Sequence, residues 1–341
     1  MPTGMAIKPM EARSVAEIPA GPEWQYEPKW DGFRCLARRD GDEVELTSKS
    51  GQSLTRYFPE VVSGLLALKA RRFLLDGELV VPEGEGLSFD ALLQRIHPAS
   101  SRVRRLAEET PAILIAFDLL SDERGRSCVE DNLETRRSAL EGFGRRQFRG
   151  QEVVRLSPAT TDLKMAMSWF KRSGGALDGL IAKRLDRPYD ASARSAMVKI
   201  KNIRTADCVV GGFRYNAGTR MVGSLLLGLY DSRGRLHHVG FSSGLKADEK
   251  SALTAKLQKL ISEPGFTGDK PGGPSRWSTA RSAEWEPLEP KLVVEVSYDH
   301  FSGGRFRHGT RIVRWRPDKA PRQCTMEQLE QKQADLTKLL K

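Results

Sequence analysis

The stretch QYEPKWDGFR at residues 25–34 alternates charged side chains within an otherwise strand-like run. Glu27, Lys29 and Asp31 stand at alternate positions, so in an extended chain they project from one face, before Gly32 breaks the run. That face is either a solvated sheet edge, where mixed charges are common, or the wall of a pocket that holds a nucleophilic amine. A free lysine amine, with a pKa of about 10.4, attacks phosphorus only after its surroundings remove its proton.

Four later runs place charged or aromatic side chains inside apolar, strand-like segments. They are LLDGELV with Asp76 and Glu78, AFDLL with Phe117, LDGLIAKR with Asp178 and Lys183, and MVKIK with Lys199 and Lys201. In LLDGELV and in MVKIK, an extended chain would direct the two charged side chains to one face. Taken singly, each residue is more simply a core or surface side chain, and only their combination indicates a site.

The elements that would position these residues alternate along residues 1–201. FRCLARRDGDEVELTSKSG is typical of a hairpin that turns at Asp40-Gly41, and Ser88 is the expected N-cap of a helix over SFDALLQRIH. Two further helices, NLETRRSALEGFG and TDLKMAMSWFKRSGG, are each predicted to end at glycine. The pattern predicts a mixed domain over residues 1–203 with largely antiparallel strands, not the regular alternation of a Rossmann sheet.

After Lys201 the chain is mostly strand-like. DCVVGGFRY, SLLLGLYDSRGRLHHVGF, KLVVEVSYDHF and RIVRWRP are predicted strands around one helix, ADEKSALTAKLQKLIS. This pattern favours a small closed barrel of the OB type over residues 204–341. A C-terminal helix is expected to open with a capping box at Thr325 and Gln328 and to space Leu329, Leu336 and Leu340 on one face. We therefore expect an α+β protein of two domains.

The composition indicates a polyanionic partner. Lys and Arg number 55 against 44 Asp and Glu, giving a net charge of +11 and a pI near 9.6, so nucleic acid is the simplest partner. The N-terminal stretch has no apolar signal-like region, and neither secretion nor membrane spanning is indicated. The cysteines are too widely spaced for a zinc or redox motif, which favours reduced thiols and a cytoplasmic protein.

The motif KWDGFR resembles the K-x-D-G-x-R signature of the covalent nucleotidyltransferases, the superfamily of ATP-dependent DNA ligases, RNA ligases and mRNA capping enzymes. Further stretches resemble the other family motifs in the family's order: TSKSGQSLT, LLDGELV, AFDLL, LDGLIAKR, MVKIKNIRTAD and VRWRPDKAP. The resemblance covers Glu27 to Lys319. It is to the short bacterial ATP-dependent DNA ligases, the stand-alone C type and the ligase domain of D-type end-joining enzymes, and it implies an adenylation domain followed by an OB-fold β-barrel.

The resemblance implies a role for each matching residue. The implied catalytic residues are Lys29, as the nucleophile that carries AMP, with Asp31, Lys199 and Lys201. The implied ATP-binding residues are Glu27, Lys29, Arg34, Lys49, Glu78, Phe117, Lys183, Lys199, Lys201, Arg316, Asp318 and Lys319. Asp178 and Glu78 are the implied ligands of Mg²⁺, for which Mn²⁺ is a substitute. Two positions depart from the commoner family pattern: Lys49 replaces arginine, which loses the bidentate fork, and Asp178 replaces glutamate.

The implied activity is the sealing of nicks in duplex DNA during repair. Lys29 would take AMP from ATP, pass it to the 5′-phosphate of a nick, and the 3′-hydroxyl would then displace it. Because 28 residues precede Lys29, we expect neither a DNA-encircling domain nor an NAD-capturing domain, and therefore ATP as the donor. Ku and a primase-like repair polymerase are the protein partners that the resemblance suggests, for a monomeric enzyme of the bacterial cytoplasm and nucleoid.

The resemblance also implies that Arg316, Asp318 and Lys319 reach ATP only if the second domain swings about a hinge near Ile203–Asp207. Two alternatives remain. An mRNA guanylyltransferase-like enzyme or an RNA ligase shares the fold and the chemistry, and labelled ATP against labelled GTP separates the first from a DNA ligase. A nucleic-acid-binding OB protein with a decayed nucleotide pocket is the alternative from another class, and it would form no covalent adduct.

Overall fold

The computed structural model describes residues 7–172, 177–192, 195–272, 284–329 and 339–340. The chain forms two compact units, Met1–Asn202 with Gln331–Lys341, and Ile203–Glu330. Each unit has its own apolar core. No helix among the described residues is long and apolar enough to span a membrane.

The elements of the first unit follow one another in a mixed order. Its strands are β1 (Arg13–Ser14), β2 (Trp24–Lys29), β3 (Phe33–Asp40), β4 (Glu43–Ser48), β5 (Arg72–Val80), β6 (Pro82–Glu83), β7 (Gly86–Leu87), β8 (Ile113–Ser121), β9 (Val154–Leu156), β10 (Gly179–Arg184) and β11 (Met197–Lys201). Its helices are α1 (Pro59–Leu66), α2 (Phe89–Gln94), α3 (Ser100–Glu109), α4 (Leu133–Gln147) and α5 (Leu163–Arg172), with a 3₁₀ turn at Thr55–Tyr57.

Among the described residues, these strands form a sheet in the order β1–β11–β10–β2 and a sheet in the order β4–β3–β5–β8–β9, beside the short β6–β7 pair. Neighbouring strands are antiparallel except for β1 with β11 and β8 with β9. The predicted antiparallel pairing is thus confirmed. The hairpin turns after Asp40 as predicted, with Gly41 at a φ of +65°, the left-handed conformation that glycine adopts without strain.

The predicted strand over residues 25–34 is two strands. β2 ends at Lys29 and β3 begins at Phe33, so Asp31 lies in the bend between them. Gly32 is required in that bend because a Cβ atom there would stand 2.1 Å from the backbone oxygen of Leu79 in β5. The close approach of β5 therefore decides where the chain bends.

The helix predictions are partly right. Ser88 caps α2 as expected, since its Oγ accepts a hydrogen bond from the Ala91 N–H at 3.2 Å. The prediction that α4 ends at glycine is wrong: the helix passes through Gly144 and ends at Gln147. The helix survives this glycine because Leu140 and Phe143 anchor it in the core. Helix α3 was not predicted, although Val103, Leu106 and Ala107 recur with a helical period; it buries only Val103. The glycines predicted to end α5 lie outside the described residues.

The second unit is mainly strand. Its elements are β12 (Arg204–Tyr215), β13 (Val222–Tyr230), β14 (Leu236–Ser242), α6 (Lys250–Gln258), β15 (Glu286–Pro287), β16 (Val293–Tyr298), β17 (Phe301–Ser302), β18 (Arg305–Phe306) and β19 (Arg311–Trp315), followed by 3₁₀ turns at Pro321–Gln323 and Met326–Leu329. Within the described part of the chain, the sheet order is β14–β13–β12–β16–β19, and β15 also pairs with β12. Alternate apolar residues of these strands form one core cluster.

Two details of the second unit bear on the predictions. Gln328 does not close the expected capping box: its Oε1 accepts from the Asp207 N–H at 2.8 Å, and its Nε2 donates to the carbonyls of Asp207 and Thr325 at 3.0 and 2.9 Å. The expected hinge near Ile203–Asp207 stays a prediction; β12 begins there at Arg204, and Asp207 pairs with Glu295 of β16. Leu336 lies outside the described residues, and Leu339 and Leu340 pack against the core of the first unit, although the predicted second domain extends to residue 341.

We expect the second unit to lose stability as the pH falls, because of His238. This side chain is 7% exposed, and the positive charges of Arg305 and Arg214 oppose its protonation. Burial lowers the pKa of His238 to about 3, whereas the unfolded chain takes up the proton near the ordinary pKa of about 6.5. The stability contributed by the neutral ring is complete above that value and falls by up to about 1.4 kcal/mol per pH unit as the pH drops towards about 3.

His238→Phe should flatten this dependence while it keeps the edge-to-face contact with Phe266, whose ring centroid lies 5.4 Å away. Between about pH 7.5 and about pH 5, urea unfolding of the variant should lose up to about 2 kcal/mol less than the wild type. His308→Gln, which removes a histidine that is 56% exposed in the same unit, is the control and should behave like the wild type. Equal losses in all three proteins would contradict the role of His238.

Candidate active site

A cavity of about 220 Å³ lies between the two larger sheets of the first unit. It brings together most of the residues predicted from the motifs, and the predicted residues that line it are Glu27, Lys29, Arg34, Lys49, Glu78, Phe117, Lys183 and Lys199. The segment before β1 supplies another wall through Met10, Glu11 and Ala12. Residues as far apart in the chain as Met10 and Lys199 therefore share one small volume.

The register of three strands explains why the lysines meet. Gly179 of β10 pairs with Lys29 of β2 on one side and with Lys201 of β11 on the other. Such a row directs its side chains to one face of the sheet, so no side chain separates the two lysines at Gly179. Glycine is required here, since a Cβ atom would lie 1.9 Å from the Ile200 carbonyl oxygen and the φ is +146°.

The next row of the same face carries Glu27, Ile181 and Lys199. The opposite face of this sheet is apolar and is buried in a core cluster, through Tyr26, Leu180, Ala182, Val198 and Ile200. The alternation seen in the sequence is therefore the two-residue period of strands with one polar cavity face and one core face. A solvated edge is excluded, because Glu27 is only 2% exposed.

Lys29 lies at the end of β2 with its side chain 21% exposed, and its amine forms an ion pair with Asp178, which is 6% exposed. Burial lowers the pKa of Lys29, and the two lysines of β11 lower it further, while the negative charges of Glu78 and Asp31 oppose the shift. The amine is therefore easier to deprotonate than a free lysine. This is the environment that a lysine nucleophile needs.

Glu78 and Arg34 stand opposite each other on β5 and β3. Burial raises the pKa of Glu78 to about 7, although the charges of Arg34 and Lys29 act to lower it. Arg34 itself donates two hydrogen bonds of 2.5 Å to the carboxylate of Asp76, and Asp76 accepts a third from the Tyr189 hydroxyl at 2.6 Å. Arg34 is thus held in a fixed, bidentate geometry at the cavity wall.

The other end of the cavity combines a buried ion pair with an aromatic ring. Glu27 accepts hydrogen bonds from Lys183 at 2.9 Å and from the side chain of Gln25 at 2.8 Å. The cations of Arg34 and Lys183 lie 4.6 and 4.7 Å from the centroid of the Phe117 ring, within cation–π range. Phe117, 8% exposed, is therefore part of the cavity wall rather than only of the core.

Lys49 and Lys199 complete the cationic lining. Lys49 follows β4 directly and forms an ion pair of 3.0 Å with Glu11. Burial lowers the pKa of Lys199, with Lys201 and Lys49 adding to the shift and Glu11 opposing it. Several lysines are therefore concentrated at one end of the cavity.

The last predicted group lies in the second unit. Arg316 donates hydrogen bonds to Asp318 at 2.8 to 3.1 Å and to Asp207 at 2.8 Å, and Lys319 is 3.3 Å from the same Asp207. The hydrogen bonds from Arg316 lower the pKa of Asp318 to about 2. The three residues thus form one local cluster with Asp207 at the end of β19.

Sequence reasoning missed the residues that hold the lining side chains in place. Asp76 is 0% exposed. Its position in an apolar strand, two residues before Glu78, could have indicated a structural partner, because a buried acid must be paired. No comparable pattern in the sequence marked Tyr189, Glu11 or the Asp118–Arg136 pair, whose two hydrogen bonds are 2.9 and 3.0 Å long. Their partners come from distant parts of the chain.

Sequence models of known protein families match the chain in both of its units. The ATP dependent DNA ligase domain matches residues 9–201, and the ATP dependent DNA ligase C terminal region matches residues 218–319. The chain belongs to the ATP-dependent DNA ligase family.

Individual relatives agree with this family. The chain is 43% identical to DNA ligase C of Mycobacterium tuberculosis over 97% of its own length and 95% of that protein. It is 31% identical to the multifunctional non-homologous end joining protein LigD of Mycobacterium bovis, over 92% of this chain and 39% of that protein. A solved structure of a Lig E DNA ligase, 16% identical, superposes with a TM-score of 0.57 and covers 92% of this chain and all of that one (100%), which shows a shared fold.

These similarities confirm the predicted family and its short C-type variety. They also confirm the α+β fold class with nucleotidyltransferase and OB-fold domains. The chain is an ATP-dependent DNA ligase, and the family match favours this activity over both alternatives, the guanylyltransferase or RNA ligase and the decayed OB protein.

Asp76→Asn should destabilise the first unit strongly, because it leaves the Arg34 guanidinium without its buried counter-charge. We expect a loss of about 3–5 kcal/mol in unfolding free energy. Tyr189→Phe removes one hydrogen bond to the same carboxylate and should cost about 1 kcal/mol. Both are measured by urea unfolding.

Asp186→Asn is the matched control. Asp186 also receives two hydrogen bonds from one arginine, Arg184, at 2.9 and 3.0 Å, but it is 50% exposed. An exposed pair of this kind contributes about 1 kcal/mol or less. If Asp76→Asn were no worse than Asp186→Asn, the Asp76 carboxylate would not be the anchor of Arg34.

Proposed function

We propose that this ligase works through a covalent lysyl-AMP intermediate on Lys29. The observation that carries the proposal is the placement of Lys29 in the cavity wall, with a pKa lowered by burial, beside the cations of β11. An amine with a lowered pKa that lies among cations is suited to attack a phosphate whose negative charge those cations stabilise. Lys183 is also buried and paired with a carboxylate in this cavity, but its amine lies against the Phe117 ring, whereas Lys29 lies beside the lysines of β11.

The reaction consists of three phosphoryl transfers. The Lys29 amine attacks the α-phosphorus of ATP and loses a proton, the N–P bond forms, and pyrophosphate leaves. An oxygen of the 5′-phosphate at a nick then attacks the same phosphorus, which frees Lys29 and adenylates the DNA end. The 3′-hydroxyl attacks that end, the phosphodiester forms, and AMP leaves. Each step depends mainly on positioning and charge stabilisation.

The other lining residues divide between base, sugar and phosphates. We assign the adenine to the end with Glu27, Lys183 and Phe117, where the ring offers a stacking surface. We assign the ribose to Arg34 and Glu78.

We assign the phosphates of ATP to the cationic end of the cavity. Lys199 and Lys201 hold the α-phosphate, with Asp31 near Lys29, and Lys49 contributes a further cation without an arginine fork.

Mg²⁺, with Mn²⁺ as a substitute, fits this set of residues. Asp178 and Glu78 present carboxylate oxygens, the hard ligands that Mg²⁺ prefers. The pKa of Glu78, raised to about 7 by burial, marks a carboxylate that a nearby cation would keep ionised. Asp178 and Glu78 are the residues that would hold the ion. When bound, the ion would neutralise negative charge on the triphosphate.

The biological setting follows from the relatives rather than from the cavity. Nicked duplex DNA is the substrate, held mainly through phosphate contacts by a chain with a net charge of +11. The similarity to LigD supports a role in repair, with Ku and a primase-like polymerase as partners. We propose a monomer that acts in the bacterial cytoplasm, at the nucleoid.

Replacing Lys29 should abolish the covalent adduct. With α-labelled ATP, Lys29→Ala and Lys29→Arg should both give only background labelling, because arginine keeps the charge but is not a nucleophile at neutral pH. Lys164→Arg, at an exposed lysine of α5, is the control and should label fully. A labelled adduct in Lys29→Arg would refute the assignment, and stronger labelling by GTP than by ATP would favour a guanylyltransferase.

We propose that Arg316, Asp318 and Lys319 act in the first step, on the pyrophosphate side of ATP. Asp318→Ala and Lys319→Ala should slow adenylation of Lys29 by about 100-fold, the usual effect of losing one transition-state contact. Sealing of a pre-adenylated nick should fall by less than about tenfold, because pyrophosphate takes no part in it.

Lys291→Ala controls for the loss of a surface cation in the same unit, since Lys291 is 61% exposed and pairs with Glu289. It should leave both rates near those of the wild type. Equal losses in adenylation and in sealing by the Asp318 and Lys319 variants would show that these residues serve the whole pathway or only the fold.

A further inference from the structure

Glu11 places a carboxylate among the cations of the cavity, where no motif calls for one. It lines the same cavity as Lys29, Lys49 and Lys199. Its Oε1 atom is 3.0 Å from Nζ of Lys49, and the two side chains are 42% and 57% exposed. An anion therefore stands at the accessible end of a cluster of lysines suited to phosphate.

Backbone hydrogen bonds hold Glu11 on both sides. The Met10 N–H donates to the Tyr189 hydroxyl at 3.1 Å. After Glu11, β1 pairs with β11, and the Val15 N–H donates to the carbonyl of Lys199 at 3.1 Å. The segment is thus tied to both walls of the cavity, so the position of Glu11 is part of the fold rather than a chance contact of a free terminus.

The charge of Glu11 acts on the cavity lysines. Burial, Lys201 and Lys49 lower the pKa of Lys199, and Glu11 is the group that acts against them. A carboxylate that balances neighbouring lysines does in the nucleotide-free protein what an anionic ligand does when it binds.

We propose that Glu11 is an internal stand-in for a phosphate group of ATP, which holds Lys49 at the cavity mouth and must release it when the triphosphate binds. Glu11 then lowers the affinity for ATP, because it forms an ion pair with Lys49 and repels the phosphates. The inference rests on the proposed function, because it takes ATP as the ligand of this cavity. It goes beyond that function by naming a residue that weakens substrate binding.

The size of the effect is bounded by exposure. Exposed ion pairs are weak, so Lys49 is held loosely enough for ATP to capture it. Removing one such pair, together with like-charge repulsion in the same place, corresponds to about a threefold to tenfold change in the ATP concentration that half-saturates adenylation. The change should fall on that concentration rather than on the rate at saturating ATP.

Glu11→Gln tests the proposal, because it removes the charge and keeps the shape. We expect the half-saturating ATP concentration for Lys29 adenylation to fall about threefold to tenfold, and Glu11→Asp to stay closer to the wild type. Glu45→Gln is the matched control, since Glu45 is an exposed residue of β4, the strand that precedes Lys49, and it does not line the cavity. An unchanged or higher half-saturating concentration in Glu11→Gln overturns the proposal; a higher one would point to a cation-binding role.

The double variant separates the ion pair from a general effect of charge. In a Lys49→Gln background, Glu11→Gln should give a smaller gain than in the wild type, because only the repulsion and the interaction with Lys199 remain. A gain of the same size in both backgrounds overturns the ion-pair part of the proposal. Labelling of the wild type separates a failure of the proposed function from a failure of this inference. If the wild type forms no Lys29 adduct, the proposed function is wrong. If it labels normally and Glu11→Gln has no effect, only the inference about Glu11 is wrong.

Discussion

The burial of the Lys29 amine beside Asp178 is the interaction on which the rest of the site depends. A buried ammonium group without a partner costs several kcal/mol, and even a paired one is held only by good geometry. The same rule applies to three other cations of the cavity, each paired with a carboxylate from a distant part of the chain. The pairs are Lys29–Asp178, Lys183–Glu27, Arg34–Asp76 and Lys49–Glu11.

These pairs differ in burial. A buried pair belongs to the fold, whereas the carboxylate of an exposed pair can be replaced by a ligand. Asp76 is fully buried and also bonded by Tyr189, so its pairing with Arg34 belongs to the fold. The Lys49–Glu11 pair is exposed, and an exposed pair gives up its partner at little cost. In the proposed function, the buried pairs hold the cavity walls, and the exposed pair leaves a lysine available to a phosphate of ATP.

Close backbone approach is the second constraint on the site. Gly32 allows β5 to pass beside the bend after Lys29, and Gly179 allows β11 to lie against β10 between two lysines. Any side chain at either position would push a strand away by more than 1 Å, since ordinary contacts need well over 3 Å. Both glycines stand within the motifs that the sequence analysis singled out, so those motifs specify backbone geometry as well as chemistry.

The sequence alone predicted most of the longer strands and the helices α2, α4, α5 and α6, from the periods of their apolar residues. Through the family resemblance, its motifs named eight of the residues that line the cavity. It also determined the family, through motifs that keep their order along the chain. Only the tertiary structure decided which carboxylate meets which cation. Asp178 lies 149 residues from Lys29 and Tyr189 lies 113 from Asp76, and no local pattern encodes such pairings. The end of α4 and the placements of Glu11 and Gln328 were decided in the same way, since packing and hydrogen bonds to distant residues outweigh local preference.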